Sequence, residues 1–276
     1  MGLIKALFYC LMRANAHIMR KMKNKRVVNI FKALATFIMI LAVCASGALL
    51  FHNFYYEPIY VSGSSMLPTL HGGPENEAVS AGDKVDFGIV DTHKHAKDSI
   101  KRFSIVSTYY PVESDYLPNT NTVRKGAKKK IKRVIAMPNE TFKIENSKLY
   151  IMKMGENKDE YIYEYVPYTF KINSDGDSTE KDIGPTKLGP YEYWVLGDNR
   201  SHSTDCHSIG KPIKYENIHG VLVAIEGTGT LYVKEYTCKN CGKKLKTNSP
   251  LCPDCYGDVV AVYDIKNKNY HWPKYF

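Results

Sequence analysis

Residues 33–51 (ALATFIMILAVCASGALLF) run for 19 positions with no charge, no proline and one glycine. A helix of that length rises about 28 Å at 1.5 Å per residue, close to the hydrocarbon thickness of a bilayer. The buried helix of a soluble domain usually keeps a polar face, which this run lacks. The apolar core of a cleaved leader is shorter and begins earlier. The pattern therefore predicts one transmembrane helix over 33–51. Its flanks are unequal: Lys5, Arg13, Arg20, Lys21, Lys23, Lys25, Arg26 and Lys32 come before it, and the first acidic residue of the chain is Glu57. The positive-inside rule then keeps segment 1–32 in the cytoplasm and puts everything after the span outside the cell membrane. Residues 3–12 (LIKALFYCLM) are apolar but too short to span, and are expected to lie along the inner surface of the lipid bilayer.

Those eight cations carry most of the net charge of +10 and leave only +2 on the other 244 residues. A uniformly basic nucleic-acid binder is excluded on that ground, and no nucleic-acid partner is expected. Beyond the span the chain reads as strands. It holds 21 Tyr, and its short β-branched and aromatic runs are punctuated by Gly, Pro, Asn and Asp. Phe142-Lys143-Ile144-Glu145 alternates, Asn146-Ser147 supplies turn chemistry, and Lys148-Leu149-Tyr150-Ile151 resumes, which predicts a hairpin. Tyr193 to Leu196 is a strand entering a turn at Gly197-Asp198, and His219 to Ile225 a buried strand. The expected fold is mainly β: an antiparallel sheet domain over 52–234, with 141–190 a variable insertion, and a small module over 235–276. No amphipathic helix of any length is expected between 57 and 235.

Three segments carry chemistry. The first is Val61-Ser62-Gly63-Ser64-Ser65-Met66-Leu67-Pro68-Thr69-Leu70, about ten residues past the span. The second is Lys130-Ile131-Lys132-Arg133-Val134, where a basic run leads straight into apolar Ile135-Ala136-Met137-Pro138. The third is Gly197-Asp198-Asn199-Arg200-Ser201-His202-Ser203-Thr204-Asp205. Together, in this order after one N-terminal span, they resemble the bacterial type I signal peptidases, membrane-anchored Ser/Lys endopeptidases. That family shows Ser-Met-x-Pro-Thr, then Lys-Arg-Val before a proline, then Gly-Asp-Asn-x-x-x-Ser-x-Asp. The resemblance covers residues 57–226.

The resemblance implies Ser65 as nucleophile, Lys132 as general base and Ser203 as a hydroxyl bonded to that lysine. Asp198, Asp205 and Arg133 become supports of the site. Met66, Leu67 and Val134 are expected to line pockets for small substrate residues. Chemistry gives the pair its logic. A serine hydroxyl needs a base, and lysine at its ordinary pKa is about one part in 2,500 neutral near pH 7. Bringing that value to about 7 means disfavouring the ammonium by roughly 4.6 kcal/mol, which burial can do and an exposed surface cannot. The Ser65 N–H is the natural first oxyanion donor; some family members add a hydroxyl at the position held here by Gly63. A Ser65–His202–Asp205 triad is the competing arrangement, and it predicts loss of cleavage on His202→Ala rather than Lys132→Ala.

The chain departs from the family in three places. Asn139 stands where a turn glycine is usual, Phe103-Ser104 where Gly-Asp is usual, and Cys206-His207 where Ser-Arg is usual. An asparagine can adopt the left-handed backbone of a glycine. His207 can replace only part of an arginine fork.

The tail carries an independent pattern. Cys238-x2-Cys241 and Cys252-x2-Cys255 are ten residues apart, the spacing of two knuckles that offer four thiolates to a structural zinc ion. Two disulfides or a redox pair are the alternatives. Cys10 and Cys44 read as small apolar residues of the anchor, and Cys206 as close to the site. The resemblance implies an endopeptidase that removes signal peptides from exported pre-proteins delivered by the secretion translocon. The alternatives are an inactive, membrane-tethered zinc-ribbon binding protein, or a peptidase dedicated to one pilin or conjugation substrate.

Overall fold

A computed structural model describes residues 25–74, 79–110, 129–146, 148–154, 161–167, 182–245 and 251–276. The first 24 residues, and with them the 3–12 segment, lie outside the described residues, as does Ser147 of the hairpin turn. The chain divides into two compact units with the boundary between Phe54 and Tyr55.

The first unit is helix α1 (Lys25–Tyr55). Its stretch Asn29–Leu49, 21 residues at mean hydropathy 2.0, is long and apolar enough to cross a membrane. None of that stretch is buried by protein, and Phe37, Ile38, Ile40 and Val43 are all more than half exposed. An apolar helix left this open among the described residues calls for lipid as its solvent. Its two hydroxyls are satisfied within the helix: Thr36 donates to the Lys32 carbonyl and Ser46 to that of Ala42. The span begins four residues before the one expected and ends two residues earlier.

The second unit is mainly β. Its strands are β1 (Tyr56–Tyr60), β2 (Lys84–Asp91), β3 (Ile105–Thr108), β4 (Lys130–Ala136), β5 (Thr141–Glu145), β6 (Lys148–Met154), β7 (Tyr161–Val166), β8 (Ile183–Lys187), β9 (Glu192–Leu196), β10 (Ile213–Lys214), β11 (Ile218–Cys238), β12 (Lys244–Leu245) and β13 (Val259–Tyr275). Among the described residues, the main antiparallel sheet runs β1-β2-β11-β3-β4-β9-β10, and β12 and β13 also pair with β11. A second sheet, β7-β6-β5-β8, comes from the 141–190 region. The expected hairpin is there: Glu145 faces Lys148, and Asn146 takes φ 50° at the turn. The only helices of the second unit among the described residues are short, α2 (Lys94–Asp98) and α3 (Cys206–Ile209), besides two single 3-10 turns.

Two apolar clusters fix the sheet's faces. One gathers Val134, Ile135, Phe142, Trp194 and Val195 beneath β4, β5 and β9. The other joins Val61, Met66 and Leu70 of the loop after β1 to Val90, Ile105, Leu222 and Ile225. Strand β11 is the longest element of this sheet. It passes position 235 without a break and carries the sheet's pairing out to Cys238, where Val259 opposes it on the way back.

Candidate active site and metal centre

Two loops and one strand meet at Ser65. The loop after β1 opens with Val61 N–H on the Asp86 carbonyl and Gly63 N–H on the Gly72 carbonyl. Gly63 has φ 96°, so a side-chain hydroxyl at that position would require a left-handed backbone, which favours glycine. The closure is tight: a Cβ on Gly72 would come 2.2 Å from the Gly63 carbonyl oxygen. Burial of Met66 and Leu70, each 1% exposed, then pins the turn that carries Ser65 to the core.

Strand β4 supplies the cation. It lies between β3 and β9, with Lys132 opposite Val106 and Arg133 opposite Leu196. Side chains alternate along a strand, and the two cations accordingly find different partners. Lys132 is 3% exposed, and its Nζ donates to Ser65 Oγ at 2.6 Å and to the Ile131 carbonyl at 2.9 Å. Burial brings its pKa from 10.5 down to about 8. The carboxylate of Asp205, and more weakly that of Asp198, attracts the ammonium and limits the fall, while Lys130 adds to it. The value stays above the 7 anticipated from chemistry alone, because the site is dry but not free of negative charge.

Arg133 forms a fork–fork pair with Asp198: Nε donates to Oδ1 at 2.8 Å and Nη2 to Oδ2 at 2.6 Å, both residues fully inside. Its Nη1 donates to the Phe103 carbonyl. Phe103 has φ 70°, the left-handed backbone that the usual glycine would adopt at less strain, and Asn139 does the same with φ 67°.

The loop after β9 docks on the nucleophile's backbone. Asn199 N–H donates to the Ser65 carbonyl at 3.0 Å and its Nδ2 to the Ser64 carbonyl at 3.2 Å. Asn199 is 1% exposed and was not among the expected site residues. Its place in the Gly-Asp-Asn motif was the available signal, though a motif does not show that the side chain and N–H act on backbone carbonyls. Asp205 accepts from Gly197 N–H at 2.9 Å and from His207 N–H at 3.1 Å, and it caps α3. Its carboxylate therefore braces its own loop.

Several expectations change here. Ser203 lies beside the site, since a Cβ on Gly197 would meet both Ser203 Oγ at 2.2 Å and the Ser65 carbonyl at 2.4 Å. Its buried hydroxyl nonetheless has no hydrogen-bond partner among the described residues; the second bond of Lys132 goes to Ile131 instead. Met66 at 1% and Val134 at 0% exposure are core side chains with no surface left to line a pocket, while Leu67 stays half-buried beside Ser65. His202 is exposed and its Nδ1 sits 2.8 Å from Ser201 Oγ, so the alternative triad is not assembled. Cys206 is fully buried and takes the Val195 N–H on its sulfur. Burial pushes its thiol up to about 12, which makes it inert rather than reactive.

The second cluster is at the far end of β11. The sulfurs of Cys238, Cys241, Cys252 and Cys255 all lie within 4.8 Å of one another. Cys238 and Cys255 are 3.4 Å apart and Cys241 and Cys252 3.6 Å. A tetrahedron with metal–sulfur bonds of about 2.3 Å has edges of about 3.8 Å, so the four thiolates fit one metal ion. The knuckles close tightly: a Cβ on Gly257 would lie 2.6 Å from the Asn240 side chain.

The family model described as signal peptidase, peptidase S26, matches residues 30–225. A signal peptidase I of Bacillus amyloliquefaciens is 31% identical over 162 residues, 57% of this chain and 69% of that protein. Signal peptidase I S of Bacillus subtilis (strain 168) is 30% identical over 189 residues, 66% of this chain and 79% of that protein. A crystal structure of a signal peptidase I from Enterococcus faecalis V583 is 21% identical and covers 45% of this chain and 97% of that chain, at a TM-score of 0.32; that likeness is too slight to argue from. The family match takes in nearly the whole apolar span, the Ser65 loop, β4 and the loop that Asn199 ties to them, and this chain belongs to the signal peptidase family, peptidase S26.

Proposed function

We propose that this protein is a membrane-anchored serine endopeptidase that cleaves signal peptides from exported pre-proteins, with Ser65 as nucleophile and Lys132 as general base. The observation that carries the reading is the 2.6 Å contact between a buried amine and a serine hydroxyl on a rigidly held turn. In its neutral form Lys132 takes the Ser65 proton while Oγ attacks the scissile carbonyl. The Ser65 N–H then faces the developing oxyanion. As the tetrahedral intermediate collapses, the Lys132 ammonium returns the proton to the leaving amine, and the acyl group stays on Ser65. A water molecule deprotonated by the same amine releases it and restores the dyad.

Arg133 and Asp198 hold β4 against the docking loop, and Asn199 and Asp205 hold that loop against Ser65. The basic flank of α1 supports an N-terminus inside and the second unit outside. Ser65 follows the end of α1 by ten residues, a reach of at most about 35 Å, which suits a cleavage point emerging beside the bilayer. Delivery by the secretion translocon follows from this role. The four cysteines would hold zinc in a closed, structural site that supplies cross-linking and no catalysis.

The test is cleavage of a pre-protein by the full chain in liposomes. Wild type should cut, and Ser65→Ala and Lys132→Ala should not, whereas His202→Ala should. An uncut pre-protein with a folded, metal-loaded wild type would favour the inactive tethered module. Cutting confined to one pre-protein among many would favour a dedicated peptidase.

A further inference from the structure

The cations between 129 and 133 differ in what meets their charge. Lys129 pairs with Glu57 and stands 2.9 Å from His219 Nε2. Lys132 is held by Ser65, and Arg133 is locked to Asp198. Lys130 is the exception: among the described residues no carboxylate stands within ion-pair distance of its ammonium. It is half-buried at the first position of β4, and no step of the cleavage chemistry uses it.

The strand decides which way this lysine faces. β4 keeps an unbroken register against β3, from Lys130 opposite Thr108 to Arg133 opposite Ile105. With no bulge between them, Lys130 and Lys132 share one face of the strand, two residues or about 6.6 Å apart. The two charges act on each other, and Lys130 helps to push the Lys132 ammonium toward its neutral form. β9 takes up the other edge of β4 only from Arg133 onward, where Leu196 opposes it. Among the described residues no strand covers that edge at 130–132, which leaves Lys130 open to a polypeptide that reaches Ser65. At about 3.3 Å per extended residue, a side chain that meets Lys130 belongs to a residue within about three positions of the carbonyl at Ser65.

We propose that Lys130 is a specificity-determining residue of this centre, recognising a carboxylate side chain of the substrate close to the scissile bond. The proposal rests on the cleavage reading and adds a class of substrate to it: pre-proteins with an acidic residue beside the cut. An ammonium with no partner of its own breaks no ion pair within the protein when it takes that carboxylate, and the charge-assisted hydrogen bond it forms is among the stronger kinds. A substrate with a cation at the same place meets a like charge and is disfavoured.

The test gives the full chain in micelles a signal-peptide substrate in which each of the three positions on either side of the scissile bond carries Glu, Gln or Lys in turn. kcat and KM are measured for wild type, Lys130→Gln, Lys130→Arg, Lys130→Glu and, as a control on exposed β8, Lys187→Gln. In at least one register the wild type should prefer Glu to Gln by about fivefold in kcat/KM, expressed mainly in KM, the worth of one good ion pair at a partly exposed site. Lys130→Arg and Lys187→Gln should keep that preference, Lys130→Gln should bring it to about one, and Lys130→Glu should turn it toward Lys. Raising the salt to about 1 M should shrink the wild-type preference. On the Gln peptide, Lys130→Gln should also move the break in the pH–rate profile upward, because a like charge has left the side of Lys132; a role in folding alone would not move it. Equal cutting of the Glu and Gln peptides by the wild type in every register would overturn the proposal and leave the cleavage reading standing. A preference that survives Lys130→Gln would overturn it as well, by assigning the carboxylate to another group. A wild type that cuts none of the peptides would overturn the cleavage reading, and the proposal with it.

Discussion

Replacing Lys132 by Met should abolish cleavage and also stabilise the fold in a way that fades with pH. A pKa brought from 10.5 to about 8 means that the folded site disfavours the ammonium by about 3 kcal/mol. The side chain is fully buried, so solvent screening takes little from that figure. The unfolded chain binds a proton at Lys132 up to about pH 10.5 and the folded chain only up to about pH 8, so wild-type stability rises across that window. At pH 7 the wild type carries nearly the whole of the strain and Lys132→Met none of it. At pH 10 less than about 1 kcal/mol of it remains. The stability advantage of the variant should therefore shrink by about 2 kcal/mol between pH 7 and pH 10. Urea denaturation of the full chain in micelles, followed by the emission of buried Trp194, measures it. For the wild type, kcat/KM on a signal-peptide substrate should climb about tenfold per pH unit below pH 8 and level off above it, as the neutral amine fills. An advantage that stays flat or grows with pH, or a rate profile with no break between pH 7 and pH 9, would refute the reasoning.

The remaining expectations concern the frame around the dyad. Asp198→Asn leaves Arg133 as a buried charge without its partner and should cost about 3–5 kcal/mol of stability, whereas the double replacement Arg133→Met with Asp198→Leu should cost much less; thermal melts of the four chains decide it. Gly197→Ala should stop cleavage with the dyad chemically intact, because its methyl would meet Ser203 Oγ and the Ser65 carbonyl; a normal kcat in that variant would show that the loop gives way. Chelation should raise hydrogen exchange around 238–258 and leave β4 protected, with metal analysis reporting about one zinc per chain beforehand. Cys206 should resist maleimide in the folded chain near neutral pH and react only on unfolding, as mass mapping of the labelled peptides would report.

What could be read from the residues depended on how local the physics is. The anchor was legible because hydrophobic length against bilayer thickness is a one-dimensional comparison. The Asn146 turn was legible because a two-residue turn restricts its own chemistry. Ser65 and Lys132 were singled out by the order of their motifs, and their 2.6 Å approach is a product of tertiary folding. The supporting contacts were less legible. Asn199 stood in the third motif, but its action on two backbone carbonyls is set by tertiary folding and not by residue type. Met66 and Val134 looked suited to a pocket because apolar residues line pockets and cores alike, and only the packing of the two clusters decides between them. The strain at Phe103 was hidden because sequence shows a missing glycine and not the left-handed backbone retained without it.

The hydrogen bonds from Asn199 to Ser64 and Ser65 weld two loops of distant sequence into one jaw. Such a jaw does most of its ordering during folding, before any ligand arrives, so little entropy is left to lose on binding. The adjustment on binding then falls mainly on the incoming polypeptide. A polypeptide already straightened before it arrives would give up least on entering such a jaw.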